Sequence, residues 1–242
     1  MVGLRTTQKP DRYGWHVPLV AAAVCPHPPM IVPEIAGGAA PELDNLRAAC
    51  DSAVRQLADA GVPLIVLGSS ASTIDYESPA RVSLSSWGQP GGEVADPLPL
   101  SLSVGAWLVN RVLGQTISPR MVTIAADASA EECAALAERL ATGPYALLVM
   151  GDGTACRGIK SPGYDDPRAQ PYDESVARAL AVADVDALLA LDPDLSAKLM
   201  VAGRAPWQVL AHAAAGGSWR GSLAYEDAPY GVAYFVALWE RA

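Results

Sequence analysis

The 242-residue sequence has one Phe, three His and four Cys, and its 17 Lys and Arg are outnumbered by 26 Asp and Glu. Each shortage removes a class of function. A net charge of −9 without a basic cluster repels a phosphate backbone or an anionic lipid surface, so neither nucleic acid nor a membrane is expected as a partner. Cys25, Cys50, Cys133 and Cys156 offer no C-x-x-C pair and no scaffold of short spacings, which implies reduced thiols and a cytoplasmic protein. No stretch approaches the ~18 apolar residues of a membrane span. Arg5, Lys9 and Arg12 ahead of the apolar run Val17 to Val24 imitate a secretion signal, but the run is short, contains Pro18 and ends in bulky Val24.

What the chain does have is small aliphatic bulk: 51% of its residues are hydrophobic and 18% charged. That composition suits helices packed closely on a buried sheet, and the length fits one domain with a sizeable core. Residues 1–14 are polar and aperiodic and read as an N-terminal arm, leaving 15–242 as a single domain. Val17 to Val24 is too short and too uniformly apolar for a typical helix and reads as a strand buried on both faces. Leu43, Leu46, Cys50, Ala53, Val54 and Leu57 recur at spacings of three and four, a helical stripe stopped by Gly61. Pro63 to Gly68 is the next strand, and strand, helix, strand in this order predicts a parallel pair.

Residues 69–99 are rich in Ser, Pro and Gly and read as a long loop with one short strand near Arg81 to Ser85. Beyond it the pattern predicts a helix at Leu102 to Leu113, a strand at Met121 to Ala125, a helix at Ala130 to Ala141 and a strand at Tyr145 to Met150. Three helical patterns follow, Ser175 to Ala181, Val185 to Ala190 and Leu195 to Ala215, the last broken near Gly203. Two strands, Gly221 to Tyr225 and Val232 to Leu238, form a hairpin around Asp227 to Gly231. The fold class is therefore α/β: three layers around a mostly parallel, mixed central sheet, ending in a helical segment and a hairpin.

Ligands of open α/β sheets sit beyond the carboxyl ends of the strands, which directs attention to Cys25 to Pro29, Gly68 to Thr73, Asp127 and Gly151 to Lys160. His27 is held in the rigid turn Pro26-His27-Pro28-Pro29 and is suited to be a general base or a metal ligand; hydrogen bonding to backbone is the plainer alternative. Gly151-Asp152-Gly153 lets backbone approach a ligand and places a carboxylate at the same pole, or else makes an Asp-capped turn. Gly153 to Ser161 nearly spells a phosphate loop, but Ile159 separates the second Gly from Lys160, and Pro162-Gly163 forbids the helix that should follow. Cys156, beside Arg157 and near Lys160, is a nucleophile if those cations lower its pKa and an inert thiol otherwise. Ser69, Ser70, Gly151, Gly153, Cys156 and Tyr230 are the expected contacts to a small-molecule ligand, while His16 and His212 read as structural.

Several stretches together resemble the class III extradiol dioxygenase family, specifically its subunit-B-like branch. Val24-Cys-Pro-His-Pro-Pro-Met-Ile-Val-Pro-Glu34 is similar to the first-strand His motif and Pro171-Tyr-Asp-Glu-Ser-Val176 to the segment opening the late helices. Gly203 to Ala213 and Pro229 to Val236 extend the resemblance from about residue 17 to the end. It implies a nonhaem ferrous ion held by two His and one Glu, with a further His acting on a catechol as dioxygen opens the ring. On this chain it makes His27 a metal ligand and a catalytic residue, Glu226 the carboxylate ligand and Asp152 a catalytic partner. Gly68-Ser69-Ser70 stands where the second ligand belongs, and Gly151-Asp152-Gly153 where the acid–base His belongs. The cofactor expected is Fe(II) or another divalent metal, or none. The resemblance implies a divergent oxidoreductase acting on a small aromatic or polar substrate, or a noncatalytic ligand-binding or partner protein that kept the fold, in either case as a homodimer.

Overall fold

The Ala- and Val-rich run after Pro18 forms β1 (Leu19–Cys25) in a computed structural model that describes residues 18–77, 81–90, 94–114 and 117–242. The expected arm, His16 and the Val17 start of the first strand lie outside the described residues. After β1 the Pro-rich turn leads through a 3-10 turn into the single-turn α1 (Pro33–Ala36) and then α2 (Asp44–Asp59), which buries Leu46, Cys50, Ala53, Val54 and Leu57 as their spacing predicts. Next come β2 (Leu64–Ser70), the short β3 (Ile74–Tyr76), α3 (Leu100–Leu113) and β4 (Arg120–Ala125). The chain continues with α4 (Ala130–Leu140), β5 (Tyr145–Met150), α5 (Ala169–Val182), α6 (Val185–Leu189), α7 (Pro193–Lys198) and α8 (Arg204–Ala214). The hairpin β6 (Trp219–Asp227) and β7 (Tyr234–Arg241) closes the chain.

Local chemistry explains the boundaries. At α4 the Ser129 hydroxyl accepts the Glu132 N–H while the Glu132 carboxylate accepts the Ser129 N–H, a reciprocal cap of a kind worth ~1 kcal/mol. Asp184 and Asp192 cap α6 and α7 one-sidedly, their carboxylates accepting the N–H groups of Ala187 and Leu195. The Leu195 to Ala215 pattern divides at Gly203 as expected, but α5 begins at Ala169, one and a half turns before the predicted start.

The seven strands run in the order β3-β4-β2-β5-β1-β7-β6. β1, β2, β4 and β5 are parallel, whereas β3 pairs antiparallel with β4, β7 with β1, and β6 with β7. The sheet is mixed, as predicted, but β1 and β2 are not neighbours: β5 lies between them. Every residue of β5 is buried, and this most apolar strand takes the centre, where both faces are covered. Helices α2 and α3 cover the face carrying Ala23, Cys25, Val66, Leu148 and Met150; α4, α5 and α8 cover the face carrying Ala22, Val24, Leu67, Leu147 and Val149. Among the described residues no helix is long and apolar enough to cross a membrane.

The strand expected at Arg81 to Ser85 is absent; the chain makes a 3-10 turn at Ser85–Trp87 instead, and the small strand lies earlier, at Ile74–Tyr76. Side chains decide this. Ser83 Oγ accepts the Ser85 N–H and bends the backbone out of extension, while Thr123 Oγ1 accepts the Ile74 N–H and donates to Ser72 O, anchoring the earlier segment to β4.

Candidate functional site

The parallel strands β1 and β5 are adjacent and in register up to Cys25 and Met150, so the turns that follow leave the sheet side by side. This brings His27 and Asp152 together although 125 positions separate them. The His27 N–H donates to Asp152 Oδ1 at 2.7 Å, and the ring Nδ1 lies 3.5 Å from the same oxygen. The two side chains are 9% and 14% exposed. Nδ1 is buried without a hydrogen-bond partner, just beyond hydrogen-bonding reach of the carboxylate. Burial raises the pKa of Asp152, and the attraction and backbone hydrogen bond of His27 only partly offset this.

Asp152 and His27 follow Met150 and Cys25 by two residues, so strand alternation places them at the end of the α2 face. Cys50 of α2 and Tyr234 of β7 bury into the same region. Burial first, then hydrogen bonding to Cys25 and the charges of Asp51 and Asp152, push the Cys50 thiol upward; burial first, then Asp152, Tyr230 and Tyr225, do the same to the Tyr234 phenol. Tyr230 donates its hydroxyl proton to Glu42 Oε2 at 2.8 Å and ties the hairpin to the segment before α2. The expected Tyr230 contact thus lies on the His27 side of the sheet.

Gly151 and Gly153 are where backbones meet. A Cβ on Gly151 would stand 2.6 Å from Gly203 Cα, and one on Gly153 would stand 2.7 Å from the Phe235 ring and 2.8 Å from Asp173 Oδ1. These glycines serve close packing, and the indole Nε1 of Trp207, beside Gly151, is buried without a partner. The loop beyond them is fixed by Asp173, a fully buried carboxylate of α5 that accepts from Thr154 N at 2.9 Å, Thr154 Oγ1 at 2.6 Å and Arg157 at 3.2 Å. Burial raises the Asp173 pKa and the Thr154 and Arg157 bonds oppose it. Further N–H groups of this loop are also taken: Gly153 donates to Ala233 O, Ala155 to Leu199 O and Arg157 to Gly231 O. A phosphate would find these donors already used.

Two candidates lose their reactive roles here. Cys156 is 1% exposed, its thiol donates to Gly163 O and Leu199 O, and burial with Asp166 and Asp173 nearby raises its pKa, so the cations next to it in sequence do not activate it. Glu226 does not join His27. It pairs across the hairpin with Phe235, which faces the α5 and α8 side, and β7 intervenes between β6 and β1; Glu226 instead borders a cavity of about 310 Å³ with Arg157 and Asp227. Ser69 and Ser70 do end β2 beside β4, with Ser101 donating to Ser69 O, but they bring no imidazole. Among the described residues no group of three or more His, Cys, Asp or Glu side chains is arranged to hold a metal ion. The described residues of the pole, with His27 as their one imidazole, therefore do not fit a two-His, one-carboxylate iron centre.

Asp173 and Tyr234 were not singled out by sequence. Asp173 left a signal: it interrupts the buried stripe Ala169, Tyr172, Val176, Ala177 and Leu180, where a carboxylate needs partners. No protein-family model matches the chain, and no curated protein matches it. Among solved structures it is similar to the crystal structure of uncharacterized protein JW3007 from Escherichia coli K12, at 16% identity and a TM-score of 0.47, covering 91% of this chain and 99% of that one.

Proposed function

We propose that this protein binds a small polar or aromatic molecule at the carboxyl ends of β1 and β5 and that His27 and Asp152 form its proton-transferring dyad. The observation carrying this reading is the double approach of His27, by backbone N–H and by ring Nδ1, to one oxygen of a carboxylate whose pKa burial has raised. A carboxylate behind one ring nitrogen favours the tautomer protonated there and leaves Nε2 to accept a proton from the ligand. An acidic hydroxyl, as on a phenol or catechol, is the group that such a base handles best. The reading keeps the acid–base half of the chemistry implied by the family resemblance and leaves out its metal half.

The test combines iron analysis of protein purified without an affinity tag, oxygen uptake on catechols, and titration of catechol into the wild type and His27→Ala. Expected are substoichiometric iron, no oxygen uptake and catechol binding weakened at least ~10-fold by the substitution, as for loss of a charge-assisted hydrogen bond. Stoichiometric iron with oxygen uptake would restore the ring-cleaving reading, and catechol binding indifferent to His27→Ala would sink the dyad. A second reading, a ligand held but not converted, is favoured by the 7% exposure of His27. Recovery of the ligand unchanged after prolonged incubation would distinguish it.

A further inference from the structure

Tyr234 opens β7 on the face of the sheet that carries His27 and Asp152. Alternation along the strand sends Tyr234, Val236 and Leu238 to the α2 side and Phe235, Ala237 and Trp239 to the α5 and α8 side. Its neighbour fixes its place. Gly153 N–H donates to Ala233 O at 2.8 Å and Ala233 N–H to Thr154 O at 2.9 Å, so the chain entering β7 is pinned to the residues that follow Asp152. The ladder between β1 and β7 pairs Ala23 with Leu238 and Val24 with Ala237, and the same count carried three positions on, past the end of β1, brings Tyr234 level with His27.

The side chain is buried yet unsatisfied. Tyr234 is 3% exposed, and among the described residues no group hydrogen-bonds to its hydroxyl. Other tyrosines of the molecule find partners, Tyr172 in Ser196 and Tyr230 in Glu42. The Tyr234 hydroxyl is not sealed in: unlike His27 Nδ1 it keeps a contact with solvent, as does His27 Nε2. Burial and then the charge of Asp152 hold the phenol in its protonated form, so it can donate. The pole thus offers an acceptor, His27 Nε2, and a donor, the Tyr234 O–H, on one face and on either side of Asp152.

Resting on the dyad reading above, we propose that Tyr234 is the specificity-determining residue of this pole: its hydroxyl donates a hydrogen bond to a second ligand oxygen, on the carbon next to the hydroxyl that His27 addresses. The ligand class is a phenol with an acceptor oxygen on the adjacent ring carbon, and that oxygen needs a lone pair, not a proton. Proton transfer breaks the ligand O–H bond, leaves its electron pair on oxygen and forms N–H at Nε2. Asp152 faces the resulting imidazolium, and the Tyr234 O–H faces the phenolate side of the ligand.

The probes are catechol, 2-methoxyphenol and phenol, titrated by calorimetry into the full chain, Tyr234→Phe and His27→Ala. Catechol and 2-methoxyphenol should each bind at least ~5-fold tighter than phenol, as for one hydrogen bond, and Tyr234→Phe should bring both down to phenol. His27→Ala should weaken all three by a similar factor and keep their order. Tyr234→Phe should melt no lower than the wild type, because the hydroxyl it removes has no partner in the fold. Phenol binding as tightly as catechol, 2-methoxyphenol binding no better than phenol, a catechol advantage that survives Tyr234→Phe, or a lower melting temperature in that variant would each overturn the role of Tyr234 and leave the dyad standing. Binding of no probe, or binding of all three indifferent to His27→Ala, would overturn the dyad and this role with it.

Discussion

The two ends of the sheet are built on opposite principles. At the carboxyl end hydrogen bonds tie His27 to Asp152 and, separately, Thr154 and Arg157 to Asp173, and glycines bring backbone within contact of neighbouring atoms. At the amino end cavities of about 720 and 620 Å³ open beside helix termini. The first is over-determined and the second is roomy, while each end holds a buried nitrogen without a hydrogen-bond partner. Buried polar groups are retained where they have work to do or where partners over-determine them, so substitutions should hurt the carboxyl end far more than the amino end.

The largest effect is expected at Asp173. Asp173→Ala strands the Thr154 N–H and hydroxyl and leaves Arg157 without its carboxylate, a loss of about 3 kcal/mol in denaturant unfolding. Asp173→Asn, which keeps an acceptor, should recover much of it. Gly153→Ala comes next: its Cβ has no room against Phe235, Ala233 and Asp173, and overpacking of this kind costs roughly 1–3 kcal/mol. If both substitutions prove harmless, the carboxyl end is not the rigid half of the molecule.

Asp152→Asn should act in the reverse direction. Because the folded-state pKa of Asp152 is raised, its stabilising contribution is complete below the unfolded value of about 3.9 and is lost as pH rises through the folded value. The neutral isostere keeps an acceptor for the His27 N–H and escapes that loss, so at neutral pH it should melt higher than the wild type. The difference should vanish in acid, and ligand binding should be impaired throughout. A stabilising substitution that damages binding marks a functional carboxylate; Asp152→Asn melting lower than the wild type at neutral pH would contradict this. The smallest effect is expected from Ala134→Leu at the amino-end cavity, where the added carbons enter open space: unfolding should change by less than ~0.5 kcal/mol.

The same contrast governs what the sequence could reveal. Helix α2 was legible from its hydrophobic period, strands β2 and β5 as short continuous apolar runs, and the Pro-His-Pro-Pro turn and Gly151-Asp152-Gly153 because special residues stand at strand ends. The insertion of β5 between β1 and β2 left no local trace, since sheet order depends on which strand best tolerates cover on both faces. The failure of Glu226 has a similar origin. A bulge between Leu223 and Tyr225 shifts the hairpin register, and a shift by one residue sends a side chain to the other face. For Cys156 the sequence left two readings open, and the inert one prevails because burial and the nearby Asp166 and Asp173 raise its pKa.

The central claim, that His27 is oriented by Asp152 to offer Nε2 to a ligand, is tested most directly by long-range proton–nitrogen correlation of the imidazole rings, which are only three in this chain. Neutral His27 should carry its proton on Nδ1, and its Nε2 resonance should move on addition of catechol. The opposite tautomer, or an Nε2 signal indifferent to catechol, would contradict the account.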